Sequence, residues 1–294
     1  MPEARMSWNG HETWYSVSGE LAGGPVPVII CHGGPGAAHD YVEPIAELSR
    51  SGRGTVLYDQ VGCGKSTHLP DAPVEFWTVE LFKDELSRLA DHLGIADRYV
   101  VVGQSWGGML AMEYALDHPT GLAAIVVADS PASIPLWVAE ANRLRLDLPP
   151  DVQETLARHE ADGTTGDPAY EAAVRVFYNR HLCRVDPWPD CVDRSFAQMA
   201  EDPTVYHTMN GPSEFHCIGS LKTWDITDRL PEISTPTLLI SGRYDEATPH
   251  IVEQIHRRIP GAKWQVFEES SHLPHVEEPE GFLEAVEAFL KTVD

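Results

Sequence analysis

Short apolar runs alternate with longer segments of helical spacing over much of this chain. Runs of four to six mostly apolar, β-rich residues occur at 26–31, 55–58, 99–102, 123–128, 237–241 and 263–267. Such runs are typical of strands buried on both faces of a sheet. Between two of them, Trp77–Leu93 repeats leucine and phenylalanine at helical spacing. The alternation predicts an α/β fold with a mostly parallel central sheet and helices on both faces.

The pattern changes after residue 130. Strand signals disappear, and helical spacing occurs around Leu136–Leu146, Val152–Arg158, Ala169–His181 and Arg194–Ala200. Because the α/β pattern resumes afterwards, an inserted helical cap is favoured over a second independent domain. The expected organisation is a core in two parts, residues 1–130 and 236–294, with the cap at residues 131–235.

The most informative turn follows the apolar run at residues 99–102. Gly103–Gly107 has the sequence G-Q-S-W-G, which fits G-x-S-x-G, and helix formers follow from Gly108. Strand, tight turn and helix in this order predict a nucleophile elbow, which strains the backbone of Ser105 and projects its hydroxyl above the sheet. The glycines around the serine would let strand and helix pack closely.

Two other glycine-rich turns have features of anion-binding loops. His32–Gly36, with the sequence H-G-G-P-G, follows a predicted strand, so its unobstructed backbone N–H groups can donate to an anion. The turn Asp59–Ser66 ends like a phosphate loop, but that motif requires glycine where this chain has Asp59. Nucleotide binding is therefore not predicted.

Three residues of catalytic type follow three predicted strands. They are Ser105, Asp245 and His272, in the order nucleophile, acid, base. Ligands of open α/β sheets bind beyond the carboxyl ends of the strands, where these residues would meet. The histidine would remove the serine proton while the carboxylate fixes its tautomer, so the order predicts a catalytic triad. His275, three residues later, is the weaker candidate for the base.

These motifs resemble the proline iminopeptidase (prolyl aminopeptidase) group of the α/β-hydrolase superfamily, and the resemblance extends over nearly the whole chain. The elbow alone identifies only the superfamily, whereas the H-G-G-P-G loop and the cap motif are far more specific. The matching segments are His32–Gly36, Asp59–Ser66, Gly103–Gly108, Met209–Phe215 (M-N-G-P-S-E-F), Trp224–Asp228 (W-D-I-T-D), Gly242–Glu246 (G-R-Y-D-E) and Ser270–His272.

The resemblance implies an α/β-hydrolase fold and several residue roles. The backbone N–H groups of Gly34 and Trp106 would form the oxyanion hole of the triad. Glu214 in the cap and Glu246 beside Asp245 would hold the free α-amino group of the substrate, a small peptide or aminoacyl compound. A cleft that demands a cationic amine is well served by carboxylates.

Composition narrows the remaining function classes. The net charge of −24 argues against nucleic acid and anionic membranes as partners. Five cysteines without C-x-x-C spacing suggest neither disulfides nor a zinc site, and no metal or cofactor is expected. An N-terminus without an apolar stretch points to the cytoplasm. The oligomeric state is left open, with a monomer compatible with the sequence.

Two alternatives stay open. The same scaffold could act as an amino-acid amidase or as an esterase or lactonase, because the variable cap would decide the leaving group. A ligand receptor without turnover is the distant alternative. Serine hydrolysis that releases an N-terminal residue, preferably proline, through an acyl-enzyme is the favoured prediction.

Overall fold

The fold is built on one eight-stranded sheet. The computed structural model describes residues 3–294. The strands follow the order β1-β2-β4-β3-β5-β6-β7-β8, with β1 and β2 antiparallel to each other, β2 antiparallel to β4, and every other pair parallel. They are β1 (Glu3–Trp8), β2 (His11–Ser18), β3 (Val28–Cys31), β4 (Thr55–Tyr58), β5 (Tyr99–Gln104), β6 (Leu122–Ala128), β7 (Thr237–Gly242) and β8 (Lys263–Phe267). The predicted mostly parallel sheet is confirmed.

Helices cover both faces of this sheet. They are α1 (Val79–His92), α2 (Trp106–Leu116), α3 (Ile134–Arg145), α4 (Pro150–Asp162), α5 (Pro168–His181), α6 (Asp190–Glu201), α7 (Thr204–Met209), α8 (Pro249–His256), α9 (Pro274–Glu277) and α10 (Pro279–Leu290), with 3₁₀ helices at His39–Ser51, Val74–Phe76, Ser220–Thr223 and Thr227–Glu232. Successive strand residues point to opposite faces. Accordingly, Val101 packs in one apolar core with α1 and α2, whereas Val100 and Val102 pack in another with α10. Both predicted faces are therefore covered.

Strand β1 and the 3₁₀ helix at His39–Ser51 are among the elements that the sequence patterns missed. In β1 only Met6 and Trp8 are buried, so alternation is too short to mark this strand. The 3₁₀ helix at His39–Ser51 contains Pro44 and follows no simple helical stripe. Helix α2 begins at Trp106, two residues earlier than the first expected helix former, because the chain turns into the helix directly after Ser105.

The segment between β6 and β7 carries α3 to α7. Helix α6 lies against the 3₁₀ helix at His39–Ser51, where Arg194 forms ion pairs of 2.8 Å with Asp40 and Glu43. The hydroxyl of Ser195 lies 3.2 Å from the backbone N and O of Ala38, just after the H-G-G-P-G loop. This segment therefore rests on the side of the core that carries that loop. Among the helices of residues 3–294, none is long and apolar enough to cross a bilayer.

Candidate active site

Ser105 occupies a sharp turn between β5 and α2. Its backbone has φ 55° and ψ −122°, a conformation that L-residues rarely adopt. A Cβ atom on Gly103 would clash with the backbone of Gly107, and one on Gly107 would clash with the carbonyl of Cys31. Strand and helix therefore approach closely only because these positions are glycine. The local geometry is that of a nucleophile elbow.

The H-G-G-P-G loop lies directly beside the elbow. A Cβ atom on Gly33 would come within 2.9 Å of the Ser105 Cβ. Gly33 N donates to the Tyr41 hydroxyl at 2.5 Å, and that hydroxyl donates to Gln104 Oε1 at 2.6 Å. The loop is thus fastened to the residue that precedes the serine. Gly34, with φ 108°, lines the space around Ser105, as does Trp106 at the N-terminal end of α2.

Asp245 and His272 meet beyond the carboxyl ends of β7 and β8. The His272 Nδ1 atom lies 2.7 Å from Asp245 Oδ1, which also accepts from Ala247 N at 2.8 Å. Gln104 Nε2 donates to the backbone carbonyl of His272 at 2.9 Å, so the elbow also holds the histidine turn. His272 and Ser105 line one cavity. The structure therefore brings the three predicted triad residues together.

His275 has a different environment. It is buried at the start of α9, where its Nε2 atom lies 3.0 Å from the Tyr41 carbonyl oxygen. Burial lowers its pKa to about 3, so the ring is neutral. His272, and not His275, is the histidine bonded to Asp245.

Two glutamates lie near His272, of which Glu246 is fully buried and Glu214 is partly buried. Glu214, after α7, accepts a hydrogen bond at 2.7 Å from the Tyr206 hydroxyl. Glu246 Oε1 lies 3.9 Å from His272 Nε2, and no donor within residues 3–294 reaches either carboxyl oxygen of Glu246. Burial raises the pKa of both carboxyl groups, and the charge of Glu214 raises that of Glu246 further. Such a pair is stabilised by a cation that enters between them.

A fourth acidic residue of the site, Asp129, was missed by the sequence reasoning. It follows β6 directly, is fully buried, and accepts from Gly242 N at 3.1 Å through Oδ1. Burial, and then the charge of the neighbouring Asp245, raise the pKa of its carboxyl group well above the usual range. The available signal was an aspartate after a buried apolar run, the same signal that marked Asp245.

Narrow apolar spaces flank Ser105 on two sides, and Gly34 and Glu214 border both. One is lined by Tyr41, Leu182, Phe196, Met199 and Leu273, and the other by Met109, Ile134, Trp137 and Leu221. Phe196 and Met199 also border a larger cavity of about 350 Å³ among α5, α6 and α7. The reacting centre is thus enclosed by apolar walls and approached by carboxylates.

One further group has ligand geometry suited to a metal, namely His39, Asp40 and Glu43. Each member is already engaged within the protein: His39 Nδ1 lies 2.9 Å from Asp59 Oδ1, and both carboxylates pair with Arg194. The cluster ties α6 to the core.

Comparison with known proteins agrees with this geometry. Residues 26–279 match the family described as alpha/beta hydrolase fold. A proline iminopeptidase from Saccharolobus solfataricus is 38% identical over 266 residues, covering 90% of this chain and 85% of that protein. Two solved structures are each 48% identical to this chain. VinJ superposes with a TM-score of 0.98, and the match covers 100% of this chain and 99% of VinJ. The Mycobacterium smegmatis proline iminopeptidase superposes with a TM-score of 0.92, and the match covers 99% of this chain and 98% of that protein.

The fold is therefore that of an α/β hydrolase, as the motifs predicted. The chain belongs to the α/β-hydrolase family and, within it, to the proline iminopeptidases. The prediction of a proline iminopeptidase-like hydrolase is confirmed at the level of the family.

Proposed function

We propose that this chain is a serine aminopeptidase that releases an N-terminal residue, preferably proline, from small peptides or aminoacyl amides. The observation that carries the proposal is a pair of glutamates beside His272, of which Glu246 is fully buried and has no donor within the described chain. A hydrolase for neutral esters would have no use for two carboxylates at this position.

The proposed chemistry is acyl transfer through Ser105. His272 Nε2 accepts the serine proton as Oγ attacks the substrate carbonyl, and Asp245 stabilises the imidazolium that forms. The N–H groups of Gly34 and Trp106 donate to the oxyanion, aided by the positive end of the α2 dipole. His272 then protonates the leaving amine, and a water molecule hydrolyses the acyl-enzyme by the same steps.

Glu214 and Glu246 would bind the substrate ammonium. In an N-terminal residue the α-nitrogen is one carbon away from the scissile carbonyl. An amine held near Glu246, itself 3.9 Å from His272 Nε2, would therefore place that carbonyl beside the catalytic histidine and serine. Internal peptide bonds lack this ammonium and would leave both carboxylates without a cation.

The number of carboxylates favours proline. A prolyl ammonium carries two N–H donors, one for each glutamate, whereas a primary ammonium carries three. The third N–H donor of a primary ammonium would need another acceptor in the site, and a buried donor without an acceptor is costly. The apolar walls formed by Ile134, Trp137 and Leu221 suit the pyrrolidine ring.

We further propose that residues 131–235 act as the cap that closes this site. The five free cysteines, three of them buried, are compatible with the proposed cytoplasmic location.

Small aminoacyl amides form a second candidate substrate class, since the space between Ser105 and Phe196 is only about 40 Å³.

The test is a substrate panel on the purified chain. Prolyl, alanyl and leucyl arylamides are compared with their N-acetylated forms and with simple esters. The proposal expects turnover that requires a free amine and is fastest for proline. Good ester turnover without cleavage of any free-amine substrate would overturn it. Matched prolinamide and prolyl dipeptides then separate amidase from peptidase activity.

A further inference from the structure

Two carboxyl groups meet beneath the candidate catalytic histidine. Asp129 follows β6 and Asp245 follows β7, and these strands are neighbours in the sheet. Both side chains are buried, and Asp129 Oδ1 accepts from the N–H of Gly242, the last residue of β7, which holds the carboxyl group of Asp129 at the strand end that leads to Asp245. Two adjacent carboxylates that both carry charge repel each other strongly in a buried environment, so one proton must be shared between them.

The hydrogen bonds that the two carboxyl groups accept show which of their oxygens are left to interact with each other. Asp245 Oδ1 accepts from Ala247 N and from His272 Nδ1, and Asp129 Oδ1 accepts from Gly242 N. No donor among residues 3–294 reaches Oδ2 of either residue. A proton on one Oδ2 atom would satisfy both, because the protonated oxygen donates and the other accepts.

Asp129 is the better holder of this proton. Asp245 accepts two hydrogen bonds, one of them from the histidine ring, and these stabilise its ionised form. Asp129 accepts one backbone hydrogen bond, and its other charged neighbours, Asp245 and Glu277, are acidic. Burial first, and the charge of Asp245 second, raise the pKa of Asp129 well above its usual range.

The backbone fixes the side chain of Asp129 in this direction. Its φ of 54° is in the left-handed region, which aspartate and asparagine tolerate better than most residues. Its N–H donates to the Ile240 carbonyl at 2.9 Å, and the Ser130 hydroxyl bonds the carbonyls of Ser105 and Ala128, both at 2.8 Å. The surrounding chain thus over-determines the turn that presents Asp129 to Asp245.

We propose that Asp129 is a positioning residue whose neutral carboxyl group donates a hydrogen bond from Oδ2 to Oδ2 of Asp245. The catalytic acid would then be held from both sides, by His272 and Ala247 on one oxygen and by Asp129 on the other. The pair would carry one negative charge rather than two. This inference rests on the role proposed above for Asp245.

The test compares Asp129→Asn with Asp129→Gly. Both residues accept a positive φ, so the backbone turn is matched, but only asparagine retains a donor toward Asp245. The readout is the rate at which a fluorophosphonate labels Ser105 as a function of pH. This rate reports serine activation without depending on the identity of the natural substrate.

Asp129→Asn is expected to slow labelling by about two- to fivefold. The pH at which the labelling rate falls to half on the acid side should stay within about 0.3 pH unit of the wild-type value, because the neutral amide replaces a neutral carboxyl group as the donor. Glycine is expected to slow it by about 10- to 100-fold, since the carboxylate loses its support. If Asp129 were ionised, Asp129→Asn would remove a charge near His272 and move the midpoint down by about one pH unit, which overturns the proposal.

An infrared measurement decides the protonation state independently of folding losses in the glycine variant. At neutral pH the difference spectrum between the wild-type protein and Asp129→Asn should contain the carbonyl stretch of one buried protonated carboxyl group, because the bands of other protonated carboxyl groups are common to both proteins and cancel. Identical spectra would refute the neutral carboxyl. Labelling of Ser105 without any aminopeptidase turnover would refute the proposed function while leaving this inference standing.

Discussion

His272 lies between two pairs of carboxyl groups that differ in how their oxygens are used. On the Nδ1 side, Asp129 and Asp245 come from adjacent strand ends and accept three hydrogen bonds from backbone N–H groups and the histidine ring. On the Nε2 side, Glu214 receives one hydrogen bond from Tyr206, and neither oxygen of Glu246 is reached by a donor within the described chain.

The difference separates positioning from recognition. In the pair Asp129–Asp245 both Oδ1 atoms are filled by the fold, and the shared proton proposed above would fill both Oδ2 atoms, so the pair has little capacity left for a ligand. A carboxylate left unsatisfied in a buried site raises the free energy of the empty protein and is relieved by a cation. The core pair therefore suits the chemical step, and the second pair suits the substrate amine.

The largest effect is expected at the core pair. Asp245→Asn should lower kcat by about 10⁴, because the amide no longer holds the histidine tautomer that accepts the serine proton. The loss should be the same for prolyl arylamides and for simple esters, since both need the base. Steady-state kinetics on the two substrates check this, with thermal unfolding as a control. A loss below tenfold would contradict the assignment of Asp245.

A smaller and selective effect is expected at the second pair. Glu246→Gln should lower kcat/KM for free-amine substrates by about 10²–10³, the range expected when one member of a buried charge pair is neutralised. Turnover of N-acetylated or ester substrates should not fall. Glu214→Gln is the companion variant, and full activity of either variant on aminoacyl substrates would disprove amine recognition by that residue.

Glu85 extends the comparison to a buried carboxyl group away from the site. It accepts hydrogen bonds from Thr13 and Val61, and burial raises its pKa to about 8. The folded state therefore keeps a proton that the unfolded chain releases, so stability falls as the pH rises from about 5 to 8. Glu85→Gln should therefore reduce the fall in the free energy of unfolding between pH 5 and pH 8 by about 3 kcal/mol. Urea unfolding at pH 5 and pH 8 measures it; an unchanged pH slope would contradict the raised pKa.

The smallest effect is on amine binding. Because the pKa values of Glu214 and Glu246 are raised, acid pH neutralises them, and affinity for a prolyl amine should rise about tenfold for each pH unit until they ionise. Calorimetry with prolinamide on the Ser105→Ala protein follows this from pH 5 to pH 8. In Ser105→Ala/Glu246→Gln only the weaker dependence from Glu214 should remain. Equal slopes would remove Glu246 from the amine site.

The sequence predicted the parts of this site that local patterns encode. Ser105, Asp245 and His272 each follow an apolar run, and their order along the chain matched a known arrangement. Glu214 could be found only through the resemblance of its cap motif, since no local pattern says where a cap residue will lie. Asp129 carried the same signal as Asp245, but its meaning depends on β6 and β7 being neighbours in the sheet.

The contacts that join distant segments could not be predicted. Tyr41 bonds both Gly33 and Gln104, and Gln104 in turn bonds the carbonyl of His272, 168 residues away in sequence. Such links depend on how three loops pack at one edge, and no periodicity reports that. They explain why the loop, the elbow and the histidine turn are found as one unit.

Asp245 and Glu246 are consecutive residues, yet they contact His272 from opposite sides of its ring. If the roles proposed here hold, bond breaking and amine selection share a single turn of the core. Divergence of the helical insertion that spares Glu214 could then change which leaving groups are accepted, while the demand for a free amino terminus would be retained.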